Sequence, residues 1–530
     1  MARVFEWGRD VVVDPSGSFP VRQYAKRRAD LSELLLDAER WDARDYLVHG
    51  SRRVTYAEHA QMVERLAASL VGRGVGPGKP VMLLAANSIE WVVTFWAVLR
   101  AGGHVVSANS FWKEREVAHA LNISQPVLVI ADAPRRALLP EGTASLGIEE
   151  IEALLEDEAP FAALGRPVAN ESAPAVVLFT SGTSGPSKGA VLSHRSQIAN
   201  IHNLLAAGAR LPQEISADTP ITQTLISTPL FHIAGIQLIT MIALTGGKIV
   251  ISEGRYDPLQ ILRLIEQERI NRWGAVPTML TRLMAVPEFG DFDLSSLKFV
   301  STGGMRVPPE VVAQARAAFS GLEGNMGVVY GLSEAGGTLA TIGGPDYQNR
   351  PTAAGKPFPT VELRIDAPDS DGAGEILARS PTNMNGYLGD AAVSPIDADG
   401  WLHTGDLGRI DAEGYLHVSG RSKEVIIRGG ENIAAGNVES CIMELPEVLE
   451  TAVIGLDHPV WGEEVGAAVV LRDGCTIGET ELRAHCAAHL AAYSVPSKWR
   501  IGREPLPTND SGKVIKPQIK ASWPTDNIPV

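Results

Sequence analysis

Short apolar runs alternate with helically spaced ones over roughly the first 170 residues. Residues 81–84, 105–106 and 127–130 read as buried strands because they are compact and rich in valine, isoleucine and leucine. Residues 90–100 and 117–121 read as helices. Such alternation predicts a parallel sheet covered on both faces. Residues 162–174 read as a linker, and a second α/β unit is expected after it. Strands are expected at 175–179, 221–227, 248–251, 297–301 and 326–330, with helices at 235–244, 258–268 and 308–319. From about residue 354 the runs become short and turn-punctuated, at 361–365, 374–379, 407–410 and 415–418, which predicts a small barrel or meander. Beyond residue 420 the texture is mixed, with helices expected at 437–445 and 480–492.

Composition narrows the class. A chain of 530 residues exceeds what one core supports. The formal charge of −15 argues against a nucleic-acid partner. Cys441, Cys475 and Cys486 form no C-x-x-C pair and are too few for a disulfide scaffold, so the cytoplasm is the expected compartment. Residues 1–7 lack a signal-peptide core, and residues 527–530 form neither a peroxisomal address nor a prenylation box. Residues 219–247 contain no charged side chain, but Pro220, Pro229, His232 and Gln237 interrupt them. A buried strand, loop and helix fit better than a membrane span.

After the run at 175–179 comes Thr180-Ser181-Gly182-Thr183-Ser184-Gly185-Pro186-Ser187-Lys188-Gly189. Small residues let the backbone wrap an anion, hydroxyls and N–H groups supply donors, and Lys188 adds charge. A plain Gly/Ser loop has the same composition. The NTPase P-loop register fails, because Lys188 lies between Ser187 and Gly189. The stretch resembles the T-S-G-T-[ST]-G-x-P-K-G signature of the adenylate-forming superfamily, which includes acyl- and aryl-CoA synthetases, peptide-synthetase adenylation domains and beetle luciferases. Ser187 stands where that signature has proline.

Further motifs resemble the same superfamily in the same order, between residues 180 and 513. Phe231-His232 resembles the pair lining the acyl pocket, with His232 as gate and carboxylate neighbour. Ser301-Thr302-Gly303-Gly304-Met305 resembles the turn facing adenine. Tyr330-Gly331-Leu332-Ser333-Glu334 resembles Y-G-x-[ST]-E, implying base stacking for Tyr330, a phosphate donor in Ser333 and magnesium at Glu334 with Thr183. His403-Thr404-Gly405-Asp406 resembles H-T-G-D, with Asp406 as ribose clamp. Arg421 is implied to bridge ribose and phosphate, Lys423 to be a hinge, and Gly429-Gly430 to face a coenzyme A tunnel. Residues 434–439 depart from the usual x-P-x-E-[IV]-E, which leaves the next helix start open. Ser511-Gly512-Lys513 resembles S-G-K, making Lys513 the leading catalytic residue beside Thr183 and His232.

The resemblance implies an α/β fold: a large N-terminal domain (1–420) of two α/β subdomains plus a small β-barrel. A small mobile α+β domain (421–530) follows. It further implies ATP, Mg²⁺ and coenzyme A, a carboxylic acid substrate, and possible homodimers. The expected function is an AMP-forming carboxylate–CoA ligase. Loading of a carrier-protein thiol, luciferase-like oxygenation and a non-catalytic binding role are the alternatives. No Asp lies between His232 and Gly235 to clamp an α-amino group. The small residues Ala335-Gly336-Gly337-Thr338, with Phe231, His232 and Gly304, predict a roomy apolar acyl pocket for a medium- or long-chain fatty, aryl or alicyclic acid.

Overall fold

The computed structural model describes residues 5–15, 19–156, 161, 163–165, 168–180, 187–216, 218–304, 307–322, 325–389 and 394–524. Of the stretch read as a linker, residues 162, 166 and 167 lie outside them, whereas Leu164 and Gly165 accept hydrogen bonds from Arg100.

Two large sheets form the body. The first runs Gly386–Tyr387, Lys188–Ser193, Pro174–Thr180, His104–Ser107, Pro80–Leu84, Leu128–Ala131 and Ser145–Gly147. From Pro174–Thr180 onward its strands are parallel. The second sheet has nine strands, with Met326–Leu332, Phe299–Gly303, Arg272–Ala275, Gln223–Ile226, Lys248–Ile251 and Asp45–His49 parallel in sequence. Ile89–Arg100 is buried from its first residue to Leu99, as expected of a helix apolar on every side. Ser88 caps it by accepting from the Trp91 N–H.

Two expectations change. Pro174–Thr180 does not open the second unit: it pairs antiparallel with Lys188–Ser193 and completes the first sheet. The second sheet instead recruits Asp45–His49 from early in the chain, beside Lys248–Ile251. Local apolar patterning identifies a strand but carries no information about distant pairing, so both assignments followed chain order. The uncharged stretch divides as expected into Gln223–Ile226, a loop, and Ile233–Thr245. Among the described residues no helix is long and apolar enough to cross a membrane.

The β-rich stretch is a four-stranded antiparallel meander, Glu362–Asp366, Gly374–Arg379, Leu402–Ile410 and Leu416–Arg421. It adjoins the second sheet through a bridge between Gly355 and Leu416. One turn at Ser422–Glu424 then leads into a new sheet of Glu431–Ala434, Val425–Arg428, Gly462–Leu471, Val448–His458 and Lys498–Gly502. Its covering helices are Ala435–Met443 and Glu479–His489, so the helix after the departing motif starts at Ala435. The small C-terminal domain shares an apolar core with the second sheet's helices.

Candidate active site

Lys513 reaches the large domain on a tight turn. Asn509 Oδ1 accepts from the backbone N–H groups of Ser511 (3.1 Å) and Lys513 (2.9 Å), and the Asn509 N–H donates to the Lys513 carbonyl at 2.8 Å. Gly512 sits at φ +80°, against Val276, where a side chain would be strained twice over. Thr278 Oγ1 donates to the Gly512 carbonyl at 2.5 Å, and Asn109 Nδ2 to Asp510 Oδ2 at 3.0 Å. The turn is thus held by two side chains of the large domain. A Cβ placed on Gly304 (φ +79°) would meet Lys513 Cε at 3.2 Å, so the lysine stem lies over that glycine. Burial and the neighbouring Arg421 pull the Lys513 ammonium below its ordinary value, with Asp406 and Glu334 opposing. Cationic potential with its solvation reduced is a site for an anion.

Asp406 lies within strand Leu402–Ile410 rather than at a connection. Tyr330 donates its hydroxyl to Asp406 Oδ2 at 3.0 Å, and Arg421 Nε lies 3.0 Å from Oδ1. Each oxygen retains acceptor capacity for a hydroxyl. Burial raises the Asp406 carboxyl above its usual value, and raises the Tyr330 phenol well above its own. Thr404 Oγ1 accepts from the Asp406 N–H at 3.1 Å, and Glu375 Oε1 from the Gly405 N–H at 2.9 Å. Thr404 and Glu375 therefore position the carboxylate from below.

Glu334 lies in a single turn, Ser333–Ala335, behind Tyr330, Gly331 and Leu332. A Cβ on Gly331 would come within 1.9 Å of the Gly337 carbonyl, so no side chain fits there. Tyr387 donates to Glu334 Oε1 at 3.0 Å, and Lys188 Nζ stands 4.9 Å from the centre of the Tyr387 ring. With one oxygen held by a neutral phenol, Glu334 has a hard oxygen donor to offer a divalent cation, and the site fits Mg²⁺. Thr180 and Lys188 are directly opposite each other on adjacent antiparallel strands. Ser181, Gly182, Thr183, Ser184, Gly185 and Met305 lie outside the described residues.

Phe231 is buried and its ring centre lies 4.4 Å from that of His232. His232 Nε2 is buried without a hydrogen-bond partner, and burial, then Lys513, pushes its pKa down to about 4. It is therefore a neutral imidazole near the Lys513 ammonium.

The small residues after Glu334 are packed tightly on the side where a Cβ would project. Ala335 is wholly buried in the meander-side core. A Cβ on Gly336 would lie 2.1 Å from the Thr382 carbonyl, and one on Gly337 2.2 Å from Gln237 Nε2 and 2.9 Å from Asn200 Oδ1. These positions are small because backbone and amides press against them. Gln237 donates to Asn200 Oδ1 and to Thr338 Oγ1, and Asn200 to the Thr338 carbonyl at 2.8 Å. That wall is polar.

Two further predicted elements are exposed. Gly429 and Gly430 (φ +61° and +93°) form an exposed hairpin turn, with Trp461 against Gly429 and nothing within 4 Å of a Cβ on Gly430. Lys423 occupies the exposed turn between the meander and the C-terminal sheet. Gly303 ends Phe299–Gly303, where Val329 excludes a Cβ at 2.6 Å. Tyr387, Glu375, Thr278, Asn109 and Gln237 went unrecognised in the sequence. Each acts on a partner 30 to 401 residues away, so no local spacing marks them.

Comparisons with known proteins converge. The AMP-binding enzyme family model matches residues 36–388, and the AMP-binding enzyme C-terminal domain model matches 437–513. The chain is 34% identical to indoleacetate–CoA ligase of Aromatoleum aromaticum over 495 residues, covering 88% of this chain and 93% of that protein. It is 33% identical to feruloyl-CoA synthase of an Amycolatopsis species over 478 residues, 89% and 94% of the two chains. ATP-bound MatB from Rhodopseudomonas palustris, 26% identical, superimposes over 93% of this chain and 98% of its own with a TM-score of 0.82. The apo form of that protein gives a TM-score of 0.74. The chain belongs to the AMP-binding enzyme family, in the acyl- and aryl-CoA synthetase branch of the adenylate-forming superfamily.

Proposed function

We propose that this chain is an ATP-dependent carboxylate–CoA ligase that makes an acyl-adenylate and then an acyl-CoA thioester. The observation that carries this reading is Lys513, delivered from the far end of the chain onto Gly304, in the electrostatic field of Arg421, Asp406 and Glu334. A carboxylate is its own nucleophile, so the first step needs no general base. The barrier is the approach of two anions, and Lys513 supplies positive potential where they meet. The carboxylate oxygen bonds to the α-phosphorus, the bond to the β-phosphate oxygen breaks, and pyrophosphate departs. Tyr330, Gly303, Gly304 and Met305 would hold the base, Asp406 and Arg421 the ribose, and Thr180 to Gly185 with Lys188 and Ser333 the phosphates. Mg²⁺ on Glu334 and Thr183 would neutralise phosphate charge. His232, neutral, would wall the carboxylate beside Phe231 without adding charge.

In the second step the coenzyme A sulfur attacks the acyl carbon, AMP leaves, and the thiol proton passes to solvent. Rotation about Lys423 would withdraw Lys513 and bring Gly429-Gly430 to the site. The polar group of Gln237, Asn200 and Thr338 favours an aryl or alicyclic acid bearing a hydrogen-bonding group over a plain fatty chain, because the half-buried Gln237 can offer its side-chain oxygen as an acceptor. Indoleacetate and ferulate, named by two relatives, are acids of that kind. We place the protein in the cytoplasm, as a monomer or homodimer.

Pyrophosphate release across a panel of fatty, aryl, alicyclic and amino acids, with and without coenzyme A, tests both statements. Acyl-adenylate that coenzyme A leaves unconsumed would overturn the ligase reading. A preference for unsubstituted fatty acids over hydroxylated aryl acids would overturn the substrate class.

A further inference from the structure

Away from the active site, two helices of the C-terminal domain bring together four metal-binding side chains. Cys441 and Glu444 lie three residues apart at the end of Ala435–Met443, and His485 and His489 one turn apart on Glu479–His489. One ligand atom from each lies within 4.8 Å of all the others. In a tetrahedral site with bonds of about 2.0–2.3 Å the ligand atoms sit about 3.3–3.8 Å apart. Closing that gap needs side-chain rotation of about 1 Å, and Glu444 and His489 are exposed and able to provide it.

We propose that Cys441, Glu444, His485 and His489 form a transition-metal site, best suited to Zn²⁺, that staples these two helices together. The donor set is one thiolate, two imidazoles and one carboxylate, which is zinc chemistry rather than that of Mg²⁺ or Ca²⁺. The histidines are also set up as ligands. His489 Nδ1 lies 2.9 Å from the His485 carbonyl and His485 Nε2 2.9 Å from the Cys441 carbonyl. A carbonyl only accepts, so in the neutral ring each of those nitrogens carries the proton and the other carries a lone pair; His485 Nε2 also faces Glu444, which leaves Nδ1 as its ligand atom. Backbone carbonyls hold metal-binding histidines in this way. A bland alternative is the Glu444–His485 ion pair, at 3.2 Å. That pair does not involve the second imidazole, and the Cys441 thiol, which meets the Cys486 thiol here, would turn to the metal as a thiolate. Four protein ligands close the coordination sphere, so the site is structural. Ala435–Met443 directly follows the hairpin bearing Gly429 and Gly430, so the staple would steady the base of that hairpin.

The test uses the full chain, stripped with a chelator and dialysed against Zn²⁺ or Co²⁺, with bound metal measured by elemental analysis. One tightly held equivalent of Zn²⁺ is expected. The Co²⁺ form should show the visible bands of a tetrahedral ion and near-ultraviolet thiolate charge transfer. His489→Ala and Glu444→Gln, at exposed positions, should each weaken Zn²⁺ binding by at least the ~10–100-fold that loss of an outer-shell partner costs. Cys441→Ser should abolish the charge-transfer band. Glu334→Gln should leave Zn²⁺ binding unchanged. Failure of the unaltered chain to retain Zn²⁺, or equal retention by His489→Ala, would overturn the proposal.

Discussion

The small C-terminal domain presents two unlike faces. One carries Lys513 and is fastened to the large domain: Arg282 pairs with Glu450 at 2.7 Å and donates to the Leu506 carbonyl at 3.2 Å, beside the Thr278 and Asn109 contacts. The other carries Gly429-Gly430 and is open. Around it Trp461 and Val460 are 50% and 74% exposed, with Ile427 and Tyr493 also outside the core. Exposed aromatic and aliphatic side chains clustered beside a glycine turn mark a surface with a second use. The seated face has the equipment for joining two anions. The open face has a thin backbone and apolar side chains, and in the proposed second step it would meet the thiol-bearing ligand and, after rotation, the large domain. The two half-reactions should therefore respond separately to changes on each face.

The largest separation is expected from Lys513→Ala. Removing one charge that acts where charge develops costs about 10²–10³-fold, ~2.7–4 kcal/mol. Pyrophosphate release should fall by that factor, while conversion of supplied acyl-adenylate and coenzyme A to thioester should stay within about threefold of the unaltered enzyme. Equal loss in both half-reactions would erase the distinction between the faces.

Arg282→Ala loosens the seated face without touching the reacting atoms. Truncating one member of a buried charge pair costs 2–5 kcal/mol, but Arg282 is a quarter exposed, so a decrease of about tenfold in pyrophosphate release is expected. Thioester formation from supplied acyl-adenylate should hold or rise, because the docked state no longer competes as well. A matching fall in both would show that the pair stabilises the fold generally.

The same contrast explains what was legible in the sequence. Residues 248–251 and 374–379 were placed to the residue, because a short apolar run bounded by turn or polar residues is a local signal. Lys513 was recognised from Ser511-Gly512-Lys513, a motif written by one turn's geometry: glycine at positive φ and an Asx-type turn at Asn509. What receives the turn, Thr278 and Asn109, was invisible, since nothing near either residue records a partner over 200 positions away. The smallness of Gly336 and Gly337 is legible in the sequence, but its local cause is not: only the fold shows Thr382 and Gln237 pressing against them.

On the open face, Trp461→Ala should leave pyrophosphate release unchanged and raise the KM for coenzyme A about fivefold. A well-packed aromatic contributes more than 1 kcal/mol at an interface, and Trp461 is only half covered here. An effect on adenylation would mean that this face already works in the seated state. Gln237→Leu belongs to neither face. It should shift preference from hydroxylated aryl acids toward alkyl acids by about tenfold, since one unmatched polar group is worth 1–3 kcal/mol.

The smallest effect concerns pH, and it ties His232 to the seated face. Burial, then Lys513, holds its pKa near 4 against an ordinary 6.5, so the imidazole is neutral in the folded chain over the working range. Adenylation should show no step attributable to His232 between pH 8 and about 5. In the unfolded chain the same group takes up a proton below about 6.5. The unfolded state then binds more protons, and this histidine's contribution to stability is lost as pH falls from about 6.5 to about 4. Replacing it by Gln should flatten that part of the stability profile in chemical denaturation at stepped pH. Lys513→Met removes the electrostatic share and leaves burial in place. The His232 pKa, followed by NMR of labelled histidine, should therefore rise only part of the way toward 6.5. A rise all the way would make the lysine, and hence the seating of its domain, the main cause of the neutral imidazole; no rise would show that burial alone sets it.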